Sequence, residues 1–209
     1  MTEPLEIATP LGPARVHVTE PANEPVGTLV LGHGAGGGVQ AKDLVAVARA
    51  AAARGWRVLR VEQPWRVAGK RVAVPPPQLD VGWRAVLAAL RDDARLTGPL
   101  VLGGRSAGAR VACRSAAEQR AAGVLALAFP LHPPGRPQKS RADELHLVAV
   151  PLLVVQGERD AFGAPEAVRT ALGDHPTAQV AAVQGDHSMS HELSAITDAV
   201  LPWLAGLIG

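Results

Sequence analysis

Short apolar runs of β-forming residues alternate with helical patterns along the chain, and this alternation restricts the possible fold more than any other feature of the sequence. Apolar runs of this length are typical of strands in a sheet that is buried on both faces. The clearest helical stripe comprises Leu79, Trp83, Val86, Leu87, Leu90 and Ala94. The pattern predicts a three-layer α/β fold, in which a mostly parallel sheet carries helices on both faces.

Glycines and prolines, together with changes in the spacing of apolar residues, indicate where the individual strands and helices begin and end. The expected strands are residues 5–9, 15–19, 27–34, 56–61, 99–103, 123–129, 151–157 and 178–183. The expected helices are residues 41–53, 79–94, a helix beginning near Ser106, residues 164–172, and a last helix over residues 193–207. We expect the first two strands to pair antiparallel and residues 65–77 to form a surface loop.

Only about twenty residues separate the strand that ends at Phe129 from the strand that begins near Leu152. This stretch is too short for a separate cap domain over the sheet. The sequence therefore predicts a single domain over residues 1–209 that has no cap.

Composition excludes several classes of protein. The net charge is only +2, and lysines and arginines do not form long blocks, so we expect no nucleic-acid partner. The amino terminus has no basic segment followed by an apolar one, and no run of eighteen apolar residues occurs, so we expect a soluble cytoplasmic protein without a membrane partner. Cys113 is the only cysteine, which excludes a disulfide framework and a thiolate metal cluster.

Residues 103–108 read Gly-Gly-Arg-Ser-Ala-Gly, between a predicted strand and a predicted helix. In that context Gly-x-Ser-x-Gly is typical of a nucleophile elbow, a strained turn that exposes a serine. Small residues at Gly104 and Gly108 would let the strand and the helix approach closely. The motif indicates Ser106 as a candidate nucleophile, with the Ala107 N–H at the start of the helix as a donor to developing negative charge.

A serine nucleophile requires a histidine base and an acid that orients it. Asp160 follows the strand over residues 151–157, and His187 follows the strand over residues 178–183. The order Ser106, Asp160, His187 is the order expected of α/β-hydrolases. His191 is an alternative base, and Asp186 and Glu158 are alternative acids, whereas His17, His146 and His175 show no partner pattern.

The glycine-rich segment over residues 32–38 follows an early strand, where a second oxyanion donor is needed. We expect the N–H of Ala35, or alternatively of Gly36, to be this donor, and His33 to fix the loop through a backbone hydrogen bond. The same glycines also satisfy Gly-x-Gly-x-x-Gly, and Glu62 could be the ribose-binding acid of a dinucleotide site. That alternative leaves Ser106, Asp160 and His187 unexplained.

Taken together, five segments resemble those of the small lidless α/β-hydrolases related to dienelactone hydrolase, including the branch of Tex/KANSL-type hydrolase-like proteins. They are residues 32–37, 103–108, 129–135, 156–163 and 185–188. The resemblance implies a sheet of about eight strands and a site without metal or cofactor. Dienelactone hydrolase itself uses a cysteine nucleophile, so the serine here argues against that substrate, and some eukaryotic relatives resemble components of chromatin-modifying assemblies.

From these features we predict a carboxylesterase-like serine hydrolase, monomeric or homodimeric, that acts on a small acyl substrate. Candidate pocket residues besides the triad are His33, Gly36, Trp65, Arg66, Arg105 and His132. The arginines could favour an anionic substrate, or could instead be solvated or paired with acids. The alternative function is an interaction protein that keeps the fold with a weak or inactive site.

Overall fold

The computed structural model of the protein describes residues 3–208. Its centre is one eight-stranded sheet in the order β1-β2-β4-β3-β5-β6-β7-β8. The strands are β1 (Leu5–Ile7), β2 (Ala14–Thr19), β3 (Gly27–Gly32), β4 (Trp56–Glu62), β5 (Leu100–Arg105), β6 (Gly123–Leu127), β7 (Leu152–Gly157) and β8 (Ala178–Val183). β2 pairs antiparallel with β1 and with β4, and all other neighbours are parallel, so the expected antiparallel start and mostly parallel sheet are confirmed.

Helices cover both faces of the sheet. They are α1 (Lys42–Ala52), α2 (Pro64–Val67), α3 (Pro76–Asp92), α4 (Ala107–Ser115), α5 (Ala142–His146), α6 (Pro165–Leu172) and α7 (Leu193–Ala205). α1 and α7 bury their apolar faces against one side of the sheet, while α3, α4, α5 and α6 pack on the other side. The helical stripe of α3 lies in this second layer, where Trp83 also donates a hydrogen bond to Ser115 Oγ at 3.0 Å.

The order of the strands fixes where a site can form. β3 lies between β4 and β5, so the connection that follows β3 leads to one side and the later connection to β5 leads to the other. At such a switch point the carboxyl ends of neighbouring parallel strands leave a crevice between diverging loops. The loop after β3 and the turn after β5 therefore meet at this edge, and the loops after β7 and β8 lie farther along it.

Two short helices lie in segments that the sequence patterns left without structure. Residues 65–77, expected to be a surface loop, contain most of α2 and the start of α3, and α5 begins where the connection after β6 ends. A four-residue helix cannot show a period of 3.6 residues, although Pro64 at its first position is a usual helix-start signal. In the described part of the chain, residues 3–208, no helix combines the length and apolarity needed to span a membrane.

Candidate active site

The turn between β5 and α4 holds Ser106 in an unusual backbone conformation. Its φ is 54° and its ψ is −110°, a backbone conformation that residues other than glycine rarely adopt. The Ser106 N–H donates to the Leu127 carbonyl on β6 at 2.9 Å, and the Ser106 carbonyl accepts a hydrogen bond from Arg110 N–H at 3.2 Å. The backbone on both sides of the serine is therefore held by regular structure, and the strain is confined to the turn.

Close packing of three glycines explains why the turn can form. A Cβ atom on Gly108 would overlap the carbonyl oxygen of Gly32 at the end of β3, and one on Gly104 would overlap the same oxygen. Gly104 also has φ of +156°. The glycines of the motif thus let α4 start directly against β3. This contact explains why residue 32 is a glycine, so the Gly-x-Gly-x-x-Gly pattern does not require a nucleotide-binding site to explain it.

Ser106, His187 and Asp160 lie in one hydrogen-bonded chain. Ser106 Oγ is 3.0 Å from His187 Nε2, and His187 Nδ1 is 2.8 Å from Asp160 Oδ2. The carboxylate can only accept from the ring, so Nδ1 carries the proton and Nε2 is free to accept from the serine hydroxyl. The side chain of Asp160 is fully buried, whereas that of His187 is 21% exposed. The three hydrogen-bonded residues therefore run from the interior at Asp160 to the open side of the molecule at Ser106.

Gln156 and Phe162 complete the surroundings of Asp160 and His187, and no motif in the sequence pointed to either residue. Gln156 Nε2 donates to Asp160 Oδ2 at 2.9 Å and also lies within hydrogen-bond distance of the carbonyls of Phe129 and Gly163. The Phe162 N–H donates to Asp160 Oδ1 at 2.8 Å, and the Phe162 ring lies 4.2 Å from the His187 ring between centroids. These contacts fix the carboxylate and cover one face of the imidazole.

The alternative acids and bases lie elsewhere. Asp186 is exposed and accepts hydrogen bonds from the N–H and the hydroxyl of Ser188, which lower the pKa of its carboxyl. Glu158 and His191 are exposed as well. Of the three histidines that showed no partner pattern in the sequence, His17 lies on β2, and His146 and His175 form a pair whose Nε2 atoms contact backbone carbonyls.

The loop after β3 lies beside the nucleophile. A Cβ on Gly34 would be 3.4 Å from the Ser106 Cβ, and a hydrogen bond from Gly37 N–H to the Gly34 carbonyl closes the turn that presents exposed Ala35 and Gly36. Ala107 is the first residue of α4, so its N–H has no partner within the helix. Both expected oxyanion donors therefore belong to segments that border Ser106.

His33 holds this loop through both of its ring nitrogens. Nε2 accepts a hydrogen bond from the Gln63 N–H at 3.1 Å, so Nδ1 carries the proton and donates to the Gly34 carbonyl at 2.9 Å. Burial lowers the pKa of His33 below its usual value, which keeps the ring neutral. His33 thus lies under the loop and holds it, as expected from the sequence, and it does not face the open side of the site.

Arg105 is a paired arginine, the second of the two alternatives that the sequence left open, and not a free cation at the substrate pocket. Its Nη2 donates to the backbone carbonyl of His187 at 2.7 Å, and its Nε is 3.1 Å from Oδ2 of Asp43 on α1. Asp43 is 1% exposed, and burial raises the pKa of its carboxyl while Arg105 opposes that rise. A Cβ on Gly34 would lie 3.0 Å from Arg105 Nη1. Arg105 therefore ties together the elbow, the loop after β3 and the loop that carries His187.

The other predicted pocket residues lie at different depths. Trp65 is 4% exposed and packs in the core beneath His33, with ring centroids 5.4 Å apart. Arg66 lies beside the glycine-rich loop, its Nε 3.7 Å from a Cβ placed on Gly38. His132 is half-buried in the connection after β6, where its N–H donates to the Phe162 carbonyl. Of these, His132 is joined to the residue whose ring packs on His187, Arg66 borders the loop after β3, and Trp65 is a core residue that contacts His33 and does not line an open pocket.

Comparison with known proteins agrees with this fold. The model of a family described as an alpha/beta hydrolase domain matches residues 25–198, so the chain belongs to that family. No match to the chain was found among curated proteins.

Solved structures share the fold over nearly the whole chain. An alpha-beta serine hydrolase homologue from Coxiella burnetii has a TM-score of 0.78 and 22% identity, covering 99% of this chain and 98% of the other. A serine hydrolase without a lid from Xanthomonas campestris has a TM-score of 0.75 and 25% identity, covering 99% and 95%. An esterase from Pyrococcus furiosus has a TM-score of 0.79 and 16% identity, covering 99% and 93%. The protein is therefore an α/β hydrolase by family and by fold, and residues 3–208 contain no separate cap domain.

Proposed function

We propose that the protein is a serine hydrolase of the carboxylesterase type, with Ser106 as nucleophile, His187 as general base and Asp160 as the acid that orients the base. The observation that carries the proposal is the unbroken chain of hydrogen bonds from Asp160 Oδ2 through His187 to Ser106 Oγ. A buried carboxylate that accepts a hydrogen bond from Nδ1 favours the tautomer of His187 in which Nε2 is unprotonated. Nε2 can then accept the proton of the Ser106 hydroxyl, as a general base must.

The reaction proceeds in two acyl-transfer steps. Ser106 Oγ attacks the ester carbonyl carbon while His187 Nε2 takes the hydroxyl proton, and the N–H groups of Ala35 and Ala107 stabilise the oxyanion. Breakdown of this tetrahedral species expels the alcohol, which receives the proton from His187, and leaves an ester on Ser106. A water molecule then attacks this acyl-enzyme while His187 takes one of its protons, and breakdown of the second tetrahedral species releases the carboxylic acid as His187 returns the proton to Ser106 Oγ.

The openness of the site favours small substrates. Residues 128–141, between β6 and α5, form a short connection held down by hydrogen bonds from Arg141 N–H to the Leu131 carbonyl and from Arg141 Nη1 to the Pro130 carbonyl. Because no cap covers the triad within residues 3–208, the acyl chain has few protein surfaces to contact. The relative from Xanthomonas campestris is likewise described as lacking a lid. We infer that short-chain esters are turned over better than long-chain ones.

A fluorophosphonate probe tests the proposal because it reacts with serines that a base activates. We expect one adduct per chain, located at Ser106 by mass spectrometry, and its loss in Ser106→Ala and His187→Ala. Ser194→Ala and His191→Ala are matched controls on exposed residues and should keep the adduct. A folded wild-type protein that remains unlabelled would contradict the proposal and support the alternative of an interaction protein with an inactive site.

A further inference from the structure

A cationic cavity lies on the α1 side of the sheet, beside the antiparallel strand β2. It has a volume of about 210 Å³ and is lined by His17, Val18, Thr19, Gln40, Val45, Ala48, Arg49 and Arg60. α1 covers β3 and β4 but leaves β2 partly open, so the groove forms between the helix and this strand. We call it the β2 cavity; its residues are distinct from the triad and from the loops that carry the triad.

The two arginines of the β2 cavity have no acidic partner. Among the described residues, no carboxylate lies within 4.0 Å of the guanidinium of Arg49 or Arg60. Several other partly buried arginines are paired, as Arg57 is with Glu20 at 2.9 Å and Arg110 is with Glu144 at 2.6 Å, whereas Arg66 and Arg141 also lack an acidic partner among residues 3–208. A partly buried guanidinium without a counter-charge is costly, and the β2 cavity contains one next to a second arginine.

Arg60 also has unused hydrogen-bond capacity. Its Nη1 donates to the Val39 carbonyl at 2.7 Å, while its Nε is buried and has no partner within residues 3–208. Burial, and secondly the nearby Arg49, lower the pKa of Arg60, which shows that its surroundings disfavour positive charge as they stand. His17 Nε2 is a second buried nitrogen that has no hydrogen bond to the described residues, and it lies 3.8 Å from the nearest oxygen of Glu62. A further acceptor is therefore the missing element of the cavity.

We propose that the β2 cavity binds a small anion through a carboxylate or phosphate group, with Arg60 and Arg49 as the cationic contacts. Planar guanidinium groups match the oxygen geometry of both anions. The exposed Gln40 amide is a further donor at the rim, and Val45 and Ala48 of α1 form an apolar wall that suits a short organic substituent. The volume limits the ligand to a molecule of a few carbon atoms.

The β2 cavity is connected to the triad region by one hydrogen bond. Val39, whose carbonyl Arg60 holds, lies in the same loop as Gly34 and Ala35. A ligand that draws the Arg60 guanidinium toward itself would therefore act on the loop that borders Ser106. The binding site itself does not depend on the activity of Ser106, so its test is a binding measurement.

The experiment titrates the full-length protein with inorganic phosphate, with acetate and with glycerol phosphate, at constant ionic strength set by sodium chloride, and follows backbone amide shifts by NMR. We expect saturable shifts at residues that line the β2 cavity, at Gln40 and Val45 among others. Arg60→Gln should weaken binding about tenfold or more, because a charge-assisted hydrogen bond is lost. Arg84→Gln, which removes an exposed arginine of α3 paired with Glu118, should not change it.

The three anions separate the ligand classes. Saturation by phosphate and glycerol phosphate alone assigns a phosphate site, saturation by acetate alone assigns a carboxylate site, and saturation by all three assigns a general anion site. Arg49→Gln provides a second test on an exposed residue if Arg60→Gln does not fold. Shifts that do not saturate, that sodium chloride reproduces, or that persist unchanged in the arginine variants overturn the proposal.

Discussion

The elbow around Ser106 and the loop around His187 are held in place by different kinds of contact. Backbone atoms fix the elbow: Gly104 and Gly108 pack on Gly32, and the Ser106 N–H is bound to β6. The loop of His187 follows β8, an edge strand whose side chains are mostly half-buried or exposed. Here the contacts come from side chains on other elements, among them Asp160, Phe162 and Arg105.

This difference separates two ways of building one site. The elbow needs small residues, and any added atom meets backbone that cannot move away. The His187 loop needs particular side chains, and the removal of one leaves a buried partner unsatisfied. Arg105 belongs to both regions, since it directly precedes Ser106 and holds the His187 carbonyl.

Arg105→Ala should have the largest effect, because it removes the link between the two regions. It leaves Asp43 buried without its counter-charge, which costs about 3 kcal/mol or more of unfolding free energy. It also frees the His187 carbonyl, so fluorophosphonate labelling should slow even where the protein is folded. Urea denaturation and labelling kinetics measure the two effects separately.

Asp43→Asn is the matched partner for this change. If the penalty comes from the unpaired carboxylate, the double variant Arg105→Ala, Asp43→Asn should be more stable than Arg105→Ala alone. Labelling should remain slow in the double variant, since the hydrogen bond to His187 is still missing. Additive losses of stability would show that the ion pair does not couple the two residues.

Gly108→Ala tests the elbow with a single methyl group. The new Cβ would overlap the Gly32 carbonyl, and because both are backbone atoms we expect a loss of about 2 kcal/mol and a displaced Ser106. Gly37→Ala is the control, because nothing lies within 4 Å of a Cβ at that position. Equal unfolding midpoints for the two variants in urea would refute the account of the elbow.

Gln156→Leu tests the support of Asp160 from the interior. The change removes a donor to Asp160 Oδ2 and leaves the buried carbonyls of Phe129 and Gly163 without that partner, so we expect a loss of about 1 to 2 kcal/mol. The mobility of the carboxylate should rise with it, and labelling at Ser106 should slow less than in Arg105→Ala. An unchanged denaturation curve would argue against this support.

His33 gives the smallest expected effect, a dependence of stability on pH. Its pKa is lowered in the folded state, so below about pH 6.5 the unfolded chain binds a proton that folded His33 does not. The contribution of His33 is therefore present above that pH and is lost as the pH falls toward the lowered value. Unfolding free energy should drop between pH 7.5 and 5.5 by more in the wild type than in His33→Gln, and equal drops would contradict this assignment.

The parts of the molecule that follow from local sequence could be predicted. Strands and helices with a clear period lie within a few residues of their expected positions, and the elbow motif lies between a strand and a helix. The predicted positions of Asp160 and His187 rested on strand ends, whose meeting edge is a property of the fold. Sequence patterns thus led to the residues that the structure brings together.

The parts that depend on distant contacts could not be predicted. Arg105 and Asp43 are 62 positions apart in number, and nothing local to either residue indicates that a buried ion pair joins them. Gln156 points inward from a strand that reads as continuously apolar, so its amide resembles an ordinary buried polar group until Asp160 is placed beside it. α2 and α5 are too short for a periodic signal and are stabilised by tertiary packing.

Cys113 lies on α4, the helix that begins at the elbow, and its burial raises the pKa of the thiol to about 12. At neutral pH the group is therefore both protonated and shielded, and it cannot react with a thiol reagent while α4 remains packed. Since Cys113 is the only cysteine, the rate at which a thiol reagent modifies it would report how often α4 unpacks from the core. In a variant that loses labelling at Ser106, unchanged modification of Cys113 would indicate local distortion of the site, and faster modification would indicate release of the whole helix.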